Sequence, residues 1–545
     1  MHGVDKMYKL DRLGGQECNS TTVYLIKTDL ITAKVVCNQI NSHFSAREGG
    51  KFHIILIPKM LTTIEVLFEE EGLFGRVDFH IFAWELIQLD SKILSFEAPK
   101  IYKHLFIGND QSFLTSIAKS IWSLCHVFGK PPLSIFHGKY SNLISSLLEH
   151  WLEEAGAPDR SDSDIGCMLV LDRDVDYAPV LMMPGTYTAL ISEVMNLSTG
   201  TVEIKEQNNE KRQLAVNMLL TSEDEIYNQI KNKHFSDVNV YLKQKANELI
   251  TEKNKGANMS IQEMKNFVEG QLGKLRNECL ALSNHFNICE KICNEMGQKF
   301  ESFSKCQNNI LYGGAKREVI MEIEDMMGIS DDMFLVLRLI CLLSLVQNGL
   351  TADEANSLKK QFLHSYGHYH LSTFYNLEKC GLFMTPPYPG EISMKIATKV
   401  AQVVPFPKKN MFQLTAQKLK LIPDISETYC LKNPQDAGYV FGGAYIPIVA
   451  QIVNYLIRKE MSLKELIKCM PGNINCKPET KLIATQVDGA PDINPRTILV
   501  YFVGGITYAE IAALQFLEAR MGCRILCCGS SIINAKSMLR SAIVT

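Results

Sequence analysis

The sequence predicts an α/β protein in which one parallel sheet is assembled from two distant stretches of chain. A small α/β domain precedes that sheet, and a large, mainly helical insertion interrupts it. Three observations carry this expectation. A strand–helix–strand unit runs from Leu133 to Asp172. A strand–turn–helix–strand unit runs from Thr497 to Cys528. Between them, across 195–435, apolar residues recur mostly at three- and four-residue steps, the period of helices.

Residues 1–99 read as the small domain. Thr22–Ile26 and Phe52–Ile57 alternate or run apolar as strands do, and Glu69-Glu70-Glu71 reads as a solvated turn. From 100 to 194 comes the first half of the sheet domain. Gln111–Val127 is a helix stopped by Gly129 and Pro131-Pro132. Leu133–Phe136 is a strand, and Tyr140–Glu154 a helix with Tyr140, Ile144, Leu148 and Trp151 on one face. Cys167–Leu171 is an unbroken apolar run, as expected for a strand covered on both faces. A crossover helix between two strands makes them parallel neighbours.

In the insertion, 195–435, Ser236–Glu252 places Val238, Tyr241, Leu242, Ala246, Leu249 and Ile250 on one face. A longer stripe follows: Ile261, Met264, Val268, Leu272, Leu275, Cys279, Leu282, Phe286, Cys289, Cys293 and Met296, near the heptad period. Together, 236–305 can fold as an antiparallel helical hairpin. Met333–Gln347 is apolar nearly all round, so it belongs in the core. Thr351–Ser365 and Leu371–Cys380 are shorter helices, and Pro386-Pro387 marks a loop. The second half of the sheet domain, 436–545, holds a helix from Pro447 to Ile457 and the strand Thr497–Val503. Gly504-Gly505 turns the chain there. The helix that follows begins with Thr507 and Glu510 in capping-box spacing, and Arg524–Cys528 is the last strand.

Ligands of parallel sheets sit at the carboxyl ends of strands, which points to Asp172, Arg173, Asp174 and Asp176. A calcium loop starting at Asp172 fails, because Tyr177 stands at its glycine position and Met183 at its glutamate position. An aspartyl-phosphate phosphatase would use Asp172 as nucleophile and Asp174 as acid/base. The following Asp176 departs from that motif, and no later lysine and metal-binding acidic pair completes it. The structural alternative pairs a partly buried Arg173 with one or more of these acids. Gly313-Gly314-Ala315-Lys316, Gly442-Gly443 and Gly504-Gly505 lack the Lys-Ser or Lys-Thr of a phosphate loop and the dinucleotide fingerprint, so they read as tight turns and no cofactor is expected. His285, Cys289 and Cys293 share a helical face without the closer pairing of a zinc site, and the trio His364, His368 and His370 lacks supporting carboxylates.

A chain of 545 residues exceeds one core. Its net charge of −3, without a basic block, argues against a nucleic-acid surface. No stretch reaches about 18 uninterrupted apolar residues, the length a membrane span needs. Sixteen cysteines without a secretory signal read as reduced, mostly buried thiols.

Leu171-Asp172-Arg173-Asp174-Val175-Asp176, followed by Tyr187 and Leu190-Ile191, resembles the signature of the SM family, the Sec/Munc-type SNARE-binding proteins of membrane fusion. The resemblance runs nearly end to end, through Val4–Lys9, Glu69–Gly72, Ser365-Tyr366-Gly367, Tyr439–Tyr445 and Gly504–Glu510, and is greatest for the vacuolar-protein-sorting branch. It implies an SM-type arch and a non-enzymatic regulator of vesicle docking and fusion, acting peripherally at late endosomes and lysosomes. It implies SNARE partners and a partner subunit like the sorting protein numbered sixteen. Asp172, Arg173, Asp176, Gly442, Gly443, Gly504, Gly505, Thr507 and Glu510 are then structural motif residues. Met264, Phe267, Val268 and Leu272 become candidate partner contacts, because the family engages SNAREs through this insertion. The chain opens close to Val4–Tyr8, where relatives carry a preceding helix-and-strand unit, so the resemblance implies a shortened first domain. A scaffold that binds the partner subunit without touching SNAREs is the remaining alternative.

Overall fold

The computed structural model describes residues 8, 10, 21–45, 50–57, 59–82, 85–155, 163–195, 197–207, 213–255, 272–330, 332–385, 412–423, 431–478 and 497–543. Two units emerge, Met1–Leu86 and Ile87–Thr545. In the first, β1 (Thr21–Lys27), α1 (Leu30–Ser45), β2 (Lys51–Ile57), α2 (Thr62–Glu70) and β3 (Asp78–Ile81) build a three-stranded parallel sheet in chain order. Alternation in β2 turns Phe52, Ile54 and Leu56 inward, into one cluster with Val36, Ile40, Ile64 and Phe68. Glu69 and Glu70, both exposed, end α2, and Glu71 in the turn that follows pairs with Lys34, so the acidic stretch is a helix end running into the expected turn.

The second unit opens with β4 (Ile87–Asp90), β5 (Ile93–Ser95), α3 (Leu114–Phe128), β6 (Leu133–His137), α4 (Lys139–Ala155) and β7 (Cys167–Asp172). Then come α5 (Ala178–Leu181), α6 (Tyr187–Val194), β8 (Thr201–Gln207), β9 (Gln213–Leu219), α7 (Glu225–Ile230), α8 (Phe235–Lys255) and α9 (Leu272–Leu311). The helical stretch continues through α10 (Lys316–Ile329), α11 (Met333–Val346), α12 (Ala352–Tyr366), α13 (Leu371–Lys379) and α14 (Phe412–Leu419). The chain returns to the sheet with α15 (Ile448–Arg458), α16 (Leu463–Cys469), β10 (Ile474–Lys477), β11 (Thr497–Val503), α17 (Tyr508–Met521), β12 (Arg524–Gly529) and α18 (Ala535–Ala542).

Seven strands form the large sheet in the order β10-β6-β7-β11-β12-β5-β4. The five central strands are parallel, and antiparallel β10 and β4 close the edges. Val500 of β11 pairs with Leu169 of β7 on one side and Cys527 of β12 on the other, so the two distant halves share one sheet at its centre. Ile498–Val503 and Cys167–Asp172 are buried throughout, which is why these runs lack polar alternation. Ile87–Ser95, placed in the first domain from the sequence, pairs through β5 onto β12. Its few residues show no apolar run, and only their neighbours assign them to this sheet.

The insertion shares the sheet domain's core. All of Val336–Val346 in α11 is buried. Arg338 within it donates to the carbonyls of Leu181 and Met182, each at 2.6 Å, and to Glu193 Oε2 at 2.8 Å. The insertion also contains the two-stranded antiparallel ribbon β8–β9, in a region expected to be mainly helical. Alternating Val202 and Ile204, both buried, are the period-two signal for it.

Candidate functional site

Asp172 ends β7 beside Val503, its register partner at the end of β11. Its side chain turns back to the start of α4. Oδ2 accepts from the Tyr140 N–H at 2.7 Å, and Oδ1 accepts from the Ser141 N–H at 2.8 Å and from the Ser141 hydroxyl. Gly138 lies on this path at φ +125°, and a Cβ there would come within 2.3 Å of Asp172 Oδ2. Asp172 is wholly buried. Burial, then the neighbouring Asp174, pushes its carboxyl up to about 7. A phosphoryl-accepting nucleophile must reach its substrate, whereas both oxygens of Asp172 are committed to a helix end.

Arg173 is also wholly buried, more deeply than expected, and its carboxylate partner is distant in sequence. Its Nη1 and Nη2 donate to Glu510 Oε2 and Oε1, each at 2.8 Å, in a two-point fork. Nη1 also donates to the Gly505 carbonyl at 3.3 Å, and Nη2 to that of Asp176. The guanidinium lies 4.8 Å from the centre of the Phe502 ring. Burial works against its charge, but Glu510, with Asp176 and Tyr177 beside it, outweighs that, so its proton is held more tightly than usual. Glu510 Oε2 accepts from the Thr507 N–H and hydroxyl, and Thr507 Oγ1 accepts from the Glu510 N–H at 3.1 Å. One carboxylate thus closes a capping box on α17 and neutralises Arg173.

Asp176 makes the third link. Its Oδ1 accepts from the Tyr445 hydroxyl at 3.0 Å and its Oδ2 from the Ile448 N–H at 2.9 Å, at the start of α15. Burial pushes its carboxyl up to about 6, against the pull of Arg173. Gly504 and Gly505 make the turn after β11 at φ +99° and +111°; a Cβ on Gly504 would meet Phe106 at 2.5 Å and the Arg173 Cβ at 3.0 Å. Gly442, in the left-handed region, closes the turn Ala437–Phe441, and Gly443 donates to the Gly438 carbonyl. Asp172, Arg173, Asp176, Gly504, Gly505, Thr507 and Glu510 therefore meet at one end of the sheet, while Gly442 and Gly443 serve a separate turn. That end is packed with protein, so its polar residues lock strands to helices.

The accessible candidate lies elsewhere, on α8 and α9. Met264, Phe267 and Val268 fall outside the described residues, and Leu272 opens α9. Between Leu272 and Met296 the buried side chains of α9 are Leu282, His285, Ile288, Cys289 and Ile292, whereas Cys279 and Cys293 are exposed and Phe286 is half-buried; towards its far end Phe303, Cys306, Gln307, Ile310 and Leu311 are buried as well. The buried face takes Leu282 and Cys289 from the near-heptad stripe and adds His285, Ile288 and Ile292 at true helical spacing, while Leu275, Phe286 and Met296 of the stripe pack partly buried against the core and Cys279 and Cys293 face out. The helix breaks at Gly297, where φ is 21° and ψ −126°. His285, one of the residues with metal-ligand potential, is committed to Tyr187 at 2.9 Å and Asp224 at 3.0 Å. Val240, Ile250 and Leu280 are more than half exposed on the two helices. Among the described residues no helix is long and apolar enough to cross a membrane.

The sequence profile of the Sec1 family matches residues 1–541. The chain is 31% identical over 558 residues to vacuolar protein sorting-associated protein 33B of Homo sapiens, covering 99% of this chain and 89% of that protein. It is 26% identical to vacuolar protein sorting-associated protein 33A of Rattus norvegicus, over 99% of this chain and 89% of the other. Among solved structures, the Unc18–syntaxin 1 complex from Monosiga brevicollis superposes with a TM-score of 0.65 at 14% identity, covering 97% of this chain and 89% of that chain. The SM protein Vps45 in complex with the Qa SNARE Tlg2 gives 0.62 at 14% identity, covering 95% and 85%.

Proposed function

The chain belongs to the Sec1 family, and from that premise we propose that it binds SNARE helices and assists vesicle docking and fusion in endosome-to-lysosome traffic. It acts by binding rather than by catalysis, peripherally on late endosome and lysosome membranes, together with a sorting-protein-sixteen-like partner subunit. The observation that carries this reading is the paired helices α8 and α9. One face of α9 is fixed in the core, while Val240, Ile250 and Leu280 stay exposed on the pair. Exposed apolar side chains on a helix pair anchored in the core suit an amphipathic partner helix. Holding such a helix in register lowers the ordering cost that two free helices would otherwise meet. The Unc18 and Vps45 structures, solved with syntaxin 1 and Tlg2, support the reading by analogy.

The test is capture of single and pre-assembled SNARE helices by the full chain. Changing Val240, Ile250 and Leu280 together to Asp should weaken capture at least about tenfold, the scale expected when interface anchors are lost, and deleting 236–305 should abolish it. Capture that is absent in the wild type, or that survives both changes, defeats the reading. Retention of the sorting-type subunit without SNARE capture would instead mark a scaffold.

A further inference from the structure

We propose that His285 is a positioning residue: it pins α9 to the sheet-bearing body in one rotation and register, and so sets the arm's fitness to accept a partner helix. The second half of this statement rests on the function proposed above; the first does not.

Between Leu272 and Met296, α9 is largely solvent-facing, and its buried contacts centre on Leu282, His285, Ile288, Cys289 and Ile292. Of these, His285 alone makes two directional bonds through its side chain. Its Nδ1 lies 2.9 Å from the Tyr187 hydroxyl and its Nε2 3.0 Å from Asp224 Oδ2. A neutral ring protonated at Nε2 satisfies both, donating to the carboxylate and accepting from the phenol. Each partner sits on a different element: Tyr187 opens α6, and Asp224 caps α7, its Oδ1 accepting from the N–H groups of Ile226 and Tyr227. The Tyr227 ring stacks on the imidazole, 6.2 Å between centres and 8° from parallel. The Thr188 hydroxyl in turn bridges the Tyr227 hydroxyl and the Lys231 carbonyl.

Apolar contacts are non-directional, so Leu282, Ile288 and Ile292 hold α9 close without fixing its rotation. A buried imidazole is different. Turning or sliding the helix would part the buried His285 and Tyr187 away from water and cost Asp224 Oδ2 its imidazole partner while its Oδ1 stays on the α7 cap, a penalty that falls chiefly on the two buried rings. His285 therefore converts a greasy contact into a keyed one.

The experiment compares the full-length wild type with His285→Leu and His285→Gln. Leucine keeps the apolar packing, and glutamine offers both a donor and an acceptor. Amide exchange is read across 272–296, with 333–346 in α11 as the internal reference. His285→Leu should quicken exchange across 272–296 by about tenfold while leaving 333–346 unchanged, as expected for a local rather than global opening. His285→Gln should restore protection, and capture of a single SNARE helix should fall for leucine and recover for glutamine. Unchanged exchange in His285→Leu, or no recovery with glutamine, overturns the pin. Quickened exchange with undiminished capture overturns its link to binding. Should His285→Leu also loosen 333–346, Tyr187→Phe removes one bond at nearly constant volume; exchange across 272–296 must rise in it, and its constancy overturns the proposal. A wild type that captures no SNARE helix defeats the function above, while exchange still decides the pin.

Discussion

Arg173 is a charge whose neutralising partner lies more than three hundred positions away, at Glu510. Replacing Glu510 by Ala leaves a buried guanidinium uncompensated and should cost about 3–5 kcal/mol, read as a lowered urea midpoint. Exchanging both residues for Met should cost less than the Glu510 change alone, because the orphan charge disappears with its partner; a larger loss would show that the pair itself carries the stability. The acids beside it make a second prediction. Asp172 and Asp176 hold their protons up to about 7 and 6, above the ordinary carboxyl value near 4. The folded chain therefore binds more protons than the unfolded one between those limits. Their contribution is fully present below about pH 4 and is lost as pH rises through about 7. Relative to wild type, Asp172→Asn should flatten the decline in urea midpoint between pH 5 and 7.5. At this scale the sequence shows that Arg173 needs a carboxylate, and the neighbours Asp172, Asp174 and Asp176 are the obvious candidates. Glu510 is visible only as a cap for its own helix, because nothing local records that β7 and β11 end side by side.

Among the elements, α9 separates what periodicity reveals from what it does not. The helix is plain in the sequence, but the near-heptad stripe shares only part of the face that packs inward: Leu282 and Cys289 belong to both, Cys279 and Cys293 face out, and Ile288 and Ile292 lie off the stripe. Both stripes are apolar, and only the surface they meet decides between them. Ile288→Ala and Ile292→Ala should each cost about 2–4 kcal/mol as buried truncations, while Cys293→Ser should stay within about 0.5 kcal/mol. Equal losses from all three in chemical denaturation would restore the heptad face. Runs buried on both sides, such as Cys167–Leu171 and Thr497–Val503, were legible because a central parallel strand leaves no polar side. Ile87–Ser95 was not, since strands of three and four residues are too short to show a period and take their identity from a neighbour.

For the molecule as a whole, the decisive fact is that β11 lies between β7 and β12. A protease site introduced between 478 and 497 and cut after folding should release nothing under native conditions. The two fragments should co-elute in size exclusion and part only in denaturant; separation in native buffer would deny the sheet its continuity.

The same placement bears on biogenesis. As the ribosome extends the chain, β7 is complete roughly 300 residues before its inner neighbour β11 emerges, and over that interval its bare margin invites wrong partners, the exposure that chaperones exist to cover. A premature stop anywhere upstream of Thr497 would therefore yield a nascent product without its central strand, destined for degradation, rather than a shorter working protein.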